Sequence, residues 1–282
     1  LRKVLMDRIT GRFAVVGSPI EHSLSPHIHA AFAGQMGLTI DYRAEQVDPE
    51  TFEPWVGDFF KREGRGLNVT LPFKTRAYQL AQVASKRADL AGAANFLTFD
   101  QDGRLFADNT DGKGLVTDMV TNADWSLRGA RILILGAGGA VKGVMSALLS
   151  EQPSTIYVVN RTASRAEALA ADWSGSVIPV CGGGYETADS MMWDVIINGT
   201  STGLSGGLPA LPDSVALATG CVCYDMAYGG AAAPFLAWSA SQGARDARDG
   251  LGMLVEQAAE SYFLWLGEYP DTQTVLSSLR AV

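Results

Sequence analysis

Gly136-Ala137-Gly138-Gly139-Ala140 follows an uninterrupted apolar run, Arg131-Ile-Leu-Ile-Leu-Gly136, and opens a helix expected over 141–149. A dinucleotide needs this context: a glycine for the tight turn, another for close backbone approach to a pyrophosphate, and a helix N-terminus with free amides. Val141 stands where the usual fingerprint has its third glycine, so the motif is met in part. A tight strand–helix turn with no ligand is the plainer alternative. The next strand, Thr155–Val159, ends in Asn160-Arg161-Thr162 rather than in the Asp or Glu that binds a ribose 2′-hydroxyl. With no acid to repel a 2′-phosphate, Arg161 and Arg165, spaced one helical turn apart, can clamp it with charge-assisted bonds. NADP(H) is therefore expected in preference to NAD(H), the alternative being that both arginines are merely solvated. His22, His27 and His29 lack cysteine partners, and Cys181, Cys221 and Cys223 fit neither a disulfide framework nor paired zinc-ligand spacing. No metal is expected, and the thiols read as free in a reducing compartment.

The elements that must position these groups alternate in type, the pattern of an α/β protein with parallel sheets covered by helices. Strands are expected at 13–17, 42–47, 66–70, 96–99 and 105–107, the last two joined by a two-residue hairpin turn at Asp102-Gly103. Helices are expected at 25–37, with Ser25-Pro26 as cap and first turn, after Asp48-Pro49, and at 74–84. Beyond Asp111 the pattern predicts a helix at 112–120, strands at 131–136, 155–159, 177–180, 195–197 and 221–224, and helices at the C-terminal end from 251. The 282 residues exceed what one hydrophobic core usually holds, and the change of character places a domain boundary near residue 110.

Hydrophobic residues make up 47% and charged residues 18%, which excludes a disordered chain. Lys and Arg number 22 against 30 Asp and Glu, so the net charge is 22 − 30 = −8. That balance argues against sequence-independent nucleic-acid binding and against docking on anionic lipid. No apolar run approaches the length of a membrane span, and 1–13 has no sustained apolar stretch of a secretory signal, so a cytoplasmic protein is expected.

Nine motifs occur in one order: Ser23-Leu-Ser25-Pro26, Asn68-Val-Thr70-Leu-Pro-Phe-Lys74, Gly92-Ala-Ala-Asn95, Asp108-Asn-Thr-Asp111-Gly112, Gly136-Ala-Gly-Gly-Ala140, Asn160-Arg-Thr162, Asn198-Gly-Thr200, Tyr224-Asp-Met226 and Asp249-Gly-Leu-Gly-Met253. In that order they span almost the whole chain, which resembles the shikimate dehydrogenase family. The resemblance implies reduction of 3-dehydroshikimate to shikimate with NADPH by a two-domain α/β enzyme. Residues 1–110 would form the α/β substrate domain, completed by 250–282, whose helix packs back on it. Residues 111–249 would form a doubly wound, Rossmann-type NADP-binding domain, with the active site in the cleft.

By the same resemblance Lys74 and Asp111 form the catalytic pair. Hydride transfer to a ketone leaves negative charge on the oxygen, which a positioned lysine can protonate while an aspartate orients it. On position alone Lys74 reads as a solvated helix lysine and Asp111 as an N-cap. Ser23 and Ser25, two apart, project to one side of an extended segment, and the resemblance assigns both to the substrate carboxylate; turn and cap duty is the alternative. It assigns Asn68, Thr70, Asn95 and Gln257 to ring hydroxyls, for which an amide offers both donor and acceptor, and Tyr228 to substrate contact. Gly136, Ala137, Gly138, Gly139, Ala140, Asn160, Arg161, Thr162, Arg165 and Thr200 are assigned to the dinucleotide, with Met226, Gly250 and Met253 beside the nicotinamide. Two residues depart from the pattern: Phe96 where Thr commonly follows the Asn, and Gly199 where Ala is commoner, a change expected to be minor. A quinate/shikimate dehydrogenase or a paralogue of broader specificity is the nearest alternative; a non-catalytic dinucleotide sensor is disfavoured by the Lys/Asp pair. The enzyme would act on small molecules as a monomer or homodimer.

Overall fold

The computed structural model describes residues 11–189, 191–209, 211–212 and 215–281, so the N-terminal segment weighed above as a signal lies largely outside them. The chain divides into two compact units, Leu1–Gly114 with Leu254–Val282, and Leu115–Met253. The unit boundaries fall a few residues after those expected, inside helices rather than at their starts. Among the described residues no helix is long and apolar enough to cross a membrane.

The first unit carries a mixed six-stranded sheet in the order β2-β1-β3-β5-β6-β4. Its strands are β1 (Arg12–Gly17), β2 (Asp41–Gln46), β3 (Gly64–Val69), β4 (Val83–Ala84), β5 (Phe96–Phe99) and β6 (Leu105–Asp108). Helices α1 (Ser25–Gln35), α2 (Phe52–Lys61), α3 (Lys74–Leu80) and α4 (Lys86–Ala91) connect them, and α5 (Asp111–Val116) follows β6. Strands β1, β2 and β3 run parallel, while β5 is antiparallel to both β3 and β6. One core cluster joins Val16, Leu67 and Val69 of the sheet to Phe52, Val56 and Phe73, all buried.

The structure departs from three local expectations and adds one helix. The helix expected to reach 84 stops at Leu80, because Gln82 and Ser85 instead donate backbone hydrogen bonds to Leu105 O and Ala107 O and seat β4 beside β6. The turn at Asp102-Gly103 is part of a longer loop over 100–104, closed by the Asp100 carboxylate accepting from the Asp102 and Arg104 amides at 2.9 Å each. Ser25 is the first residue of α1 rather than its cap, and Leu24 holds the cap position. Helix α4 was not expected; Ser85 caps it by accepting from Ala88 N.

The second unit carries six parallel strands in the order β12-β11-β10-β7-β8-β9. They are β7 (Arg131–Leu135), β8 (Thr155–Val159), β9 (Val180–Gly183), β10 (Met192–Asn198), β11 (Ala216–Asp225) and β12 (Asp246–Arg248), with helices α6 (Gly139–Ser150), α7 (Ala163–Ala171) and α8 (Ala233–Ser241). Relabelled from β7 as the first strand, the order is 6-5-4-1-2-3, the doubly wound arrangement whose winding reverses between β7 and β10. Strand β9 lies at 180–183 rather than 177–180. Val177 is fully exposed, whereas Gly182 packs where a Cβ would come within 2.3 Å of Ala166 O in α7. The chain closes with α9 (Leu251–Leu266) and α10 (Thr272–Arg280). From Leu254 onward both belong to the first unit: Trp265 packs on Phe13 and Phe96 with ring centroids 5.1 and 5.0 Å apart.

Candidate active site

In the first unit, Lys74 opens α3 just after the end of β3, and Asp111 opens α5 just after β6. Lys74 Nζ donates to Asp111 Oδ2 across 2.5 Å, with side-chain exposures of only 18% and 7%, so the lysine is not a solvated surface group. The other carboxylate oxygen accepts from Asn95 Nδ2 at 2.9 Å. Both oxygens are thus engaged by side chains, which sets the N-cap reading of Asp111 aside.

Asn95, buried between β5 and the segment after β6, also donates to Thr110 Oγ1 at 2.8 Å and to Gln257 Oε1 at 3.2 Å, and accepts from Thr110 N at 2.8 Å. Asn68, near the end of β3, donates to Asn95 O at 3.1 Å and to Ser261 Oγ at 3.0 Å, and accepts from the Tyr42 hydroxyl at 2.7 Å. Gln257 and Ser261 lie four apart on α9, one turn on one face, and Ser261 Oγ donates to Gln257 O at 3.0 Å. Six expected substrate residues, with the Lys/Asp pair, therefore share this unit: Ser23, Ser25, Asn68, Thr70, Asn95 and Gln257. Thr70 is half-buried and its amide is fixed to Val16 O at 2.9 Å. Ser23 and Ser25 are not in an extended segment; Ser23 Oγ accepts from Ser25 N at 3.3 Å in a tight turn, and the Ser25 side chain is buried.

A cluster of aromatic rings backs this network. His29 stacks on Tyr42 at 4.1 Å, and Phe96 stacks on Trp265. Gly66 makes room for that indole, since a Cβ there would lie 2.2 Å from it. His29 is fully buried with no hydrogen-bond partner on either ring nitrogen among the described residues, and burial pushes its pKa down to about 3, whereas His22 and His27 are exposed. Arg87 spans Asp108 and Glu260 at 2.6 and 2.8 Å, tying the strand before Asp111 to α9.

In the second unit the glycine loop leaves β7 at the point where the winding reverses. Gly136 has φ +100°, and a Cβ on it would crowd Gly199 O at 3.1 Å. Gly138 and Gly139 face open space, so a Cβ there would fill room that lies in front of the first amides of α6. Among the described residues no side chain caps α6, which leaves those amides for a ligand. Arg161 and Arg165 are exposed, and among the described residues neither enters an ion pair. Arg161 precedes α7 and Arg165 lies in its first turn, so their separation is not the turn of one helix that the spacing implied. Asn160 Nδ2 donates to Thr162 O at 3.0 Å, which holds the bend between them. The open glycine cradle, the uncapped amides and the two unpaired guanidiniums fit a phosphate-bearing dinucleotide.

Across the reversal point, Asn198 accepts from Thr200 N and Oγ1 at 3.1 and 2.7 Å and donates to Asp225 Oδ2 at 2.8 Å. Burial pushes the Asp225 carboxyl up to about 6. Met226 N is fixed to Asn198 O at 2.9 Å. Gly250 packs where a Cβ would meet Met226 O at 2.4 Å, and Met253 N donates to Tyr224 Oη, which itself donates to buried Asp118 at 2.7 Å. Tyr228 follows β11, half-buried, its phenol pKa raised by burial. The change at residue 199 is more than minor: a Cβ there would lie 2.5 Å from Val141 Cγ2, so the two departures from the dinucleotide pattern fill one space. Sequence reading missed Tyr42, Thr110 and Ser261. The four-residue spacing of Ser261 from Gln257 could have revealed it, whereas Tyr42 reaches Asn68 only through strand pairing.

Three family models match the chain: the shikimate dehydrogenase substrate binding domain over 15–97, shikimate/quinate 5-dehydrogenase over 118–203, and the shikimate 5′-dehydrogenase C-terminal domain over 250–280. Shikimate dehydrogenase (NADP(+)) of Alkalilimnicola ehrlichii is 49% identical over 274 residues, covering 96% of this chain and 99% of that protein. Among solved structures, an Ael1 enzyme from Pseudomonas putida is 42% identical with a TM-score of 0.88, covering 96% of this chain and 98% of its own. Shikimate 5-dehydrogenase of Thermus thermophilus in complex with NADP(H) and shikimate is 32% identical with a TM-score of 0.82, covering 96% of this chain and 99% of its own.

Proposed function

The chain belongs to the shikimate dehydrogenase family, and from that premise we propose that it reduces 3-dehydroshikimate to shikimate with NADPH, using Lys74 and Asp111 as its acid–base pair. The observation that carries the assignment is the contact of Lys74 Nζ with Asp111 Oδ2, a shielded ammonium steered by a carboxylate that Asn95 fixes from the other side. The reduced nicotinamide, when bound, supplies the two electrons and one hydrogen that the carbonyl carbon receives. Lys74 delivers the proton to the carbonyl oxygen as charge develops there, and takes it back in the reverse direction. Asp111 holds the ammonium in place. Turnover of a Lys74→Ala variant at saturating substrate tests the pair; near-wild-type turnover would refute it.

We assign substrate binding to the first unit and dinucleotide binding to the second. Ser23 and Ser25 receive the substrate carboxylate, and Asn68, Thr70, Asn95 and Gln257 its ring hydroxyls, with Tyr228 as a further contact. The loop from Gly136 to Ala140 holds the pyrophosphate, and Asn160, Arg161, Thr162 and Arg165 hold the adenosine end with its 2′-phosphate. Thr200, Met226, Gly250 and Met253 border the nicotinamide. The uncapped amides of α6 and the unpaired arginines support that placement. A cytoplasmic location belongs to the same reading, supported by three free thiols, two of them buried. The excess of acidic residues argues against a nucleic-acid partner. Quinate is the second substrate to consider, because the family model over 118–203 is described for shikimate and quinate together.

A further inference from the structure

Hydrogen-bond donors and acceptors around Asn68 and Asn95 are set by partners that allow one orientation only. Asn68 Nδ2 faces Asn95 O, which can only accept, so the amide nitrogen must lie on that side. Its second hydrogen goes to Ser261 Oγ, whose own hydrogen is committed to Gln257 O. Asn95 Oδ1 faces Thr110 N, which can only donate, and its Nδ2 faces the Asp111 carboxylate and Thr110 Oγ1. Both NH2 groups are therefore spent inside the protein. At Asn68 the Tyr42 hydroxyl uses one of the two lone pairs of Oδ1. Burial raises the Tyr42 pKa well above 10, so the phenol keeps its proton and remains the donor.

Among the described residues one acceptor position on Asn95 Oδ1 and one on Asn68 Oδ1 remain, the latter beside the buried His29 ring. Free donors occur elsewhere: Lys74 Nζ uses one hydrogen on Asp111, and Gln257 Nε2 uses one on Leu254 O at 2.9 Å. We propose that Tyr42 and Ser261 are positioning residues that lock Asn68 as an acceptor, so that this site selects a cyclic polyol carboxylate by the hydrogen-bond direction of each oxygen. An oxygen facing either asparagine must be a hydroxyl that donates. A ketone oxygen can only accept, so it is admitted where Lys74 and Gln257 point and refused at the asparagines. The site thereby selects which ring position is reduced as well as which ring is bound. Leaving an amide lone pair facing another acceptor is the kind of mismatch that gives far greater discrimination than apolar fit.

This inference rests on the substrate-site reading above. The test uses shikimate and analogues in which each non-reacting hydroxyl is replaced by fluorine, which accepts weakly and cannot donate. kcat and KM are measured for the whole enzyme and for Tyr42→Phe, Ser261→Ala and Asn68→Ala, with thermal unfolding of each as a check on folding. The unmodified enzyme is expected to reject at least one fluoro analogue by roughly 100-fold or more. In Tyr42→Phe the Asn68 amide keeps its bond to Asn95 O but loses the donor that fixes Oδ1, so Oδ1 is held less firmly toward the ligand. The variant's KM for shikimate then rises by about tenfold with a smaller change in kcat, and discrimination against that analogue shrinks to a few-fold. Ser261→Ala, which removes the other restraint, moves the ratio in the same direction and serves if Tyr42→Phe does not fold. Full discrimination in both folded variants, with Asn68→Ala strongly impaired, would overturn the locking role alone. An Asn68→Ala enzyme with unchanged kcat/KM would instead overturn the substrate-site reading.

Discussion

Lys74 Nζ and Asp111 Oδ2 meet at 2.5 Å although the residues are 37 apart in sequence and open two different helices. The contact exists because β3 and β6 both deliver their chain ends to one edge of the first sheet, with β5 and its Asn95 between them. Removing the ammonium should leave substrate binding largely intact and remove proton delivery. Lys74→Ala is expected to lower kcat by about 10²–10⁴-fold with a much smaller change in KM. Steady-state kinetics at saturating substrate decides this, and an effect confined to KM would move Lys74 from proton transfer to binding.

The cofactor preference is expected to depend on Arg161. A charge-assisted bond to a 2′-phosphate from an exposed guanidinium corresponds to roughly 10–100-fold in kcat/KM. Arg161→Ala should lose about that factor with NADPH while its efficiency with NADH stays level. An unchanged NADPH-to-NADH ratio would remove Arg161 from the phosphate site.

Val141 and Gly199 should behave as a coupled pair. The Cβ of Gly199→Ala meets Val141 Cγ2, a branched group with little freedom in a helix, and overpacking of this kind costs about 1–3 kcal/mol. Val141→Ala opens the space, so the double variant is expected to be more stable than the sum of the two single effects. Denaturant unfolding of the four proteins measures the coupling, and strict additivity would show that the backbone relaxes instead.

His29 supplies a pH dependence of known sign. Its pKa falls from 6.5 to about 3 on burial, so below pH 6.5 the unfolded chain binds a proton that the folded chain does not. Stability is lost as pH falls through that window, by about 2 kcal/mol at pH 5 from this group. His29→Phe keeps a ring against Tyr42 and removes the titration. Its stability should fall less between pH 7.5 and pH 5 than that of the unmodified protein, by about that amount. Parallel pH profiles in urea unfolding would show that His29 is protonated in the folded state.

Much of this was legible in the sequence, for identifiable reasons. The apolar run 131–136 and the glycines after it announced a central parallel strand and its turn, because both are local patterns. The nine ordered motifs carried the family. Errors arose where a distant partner decided the outcome. The segment at 82–85 leaves its helix because β6 offers backbone partners, and β9 lies where Gly182, lacking a Cβ, can approach α7 closely. Ser23 and Ser25 form a turn that alternation cannot distinguish from a strand. The same limit hid Tyr42, whose hydroxyl reaches Asn68 only once β2 and β3 flank β1.

Initial rates of oxidation of shikimate and of quinate, each with NADP and with NAD, test the proposed activity. Shikimate with NADP is expected to exceed every other combination in kcat/KM, and Lys74→Ala to abolish the advantage. Comparable efficiency with NAD, or a higher efficiency with quinate than with shikimate, would contradict that activity.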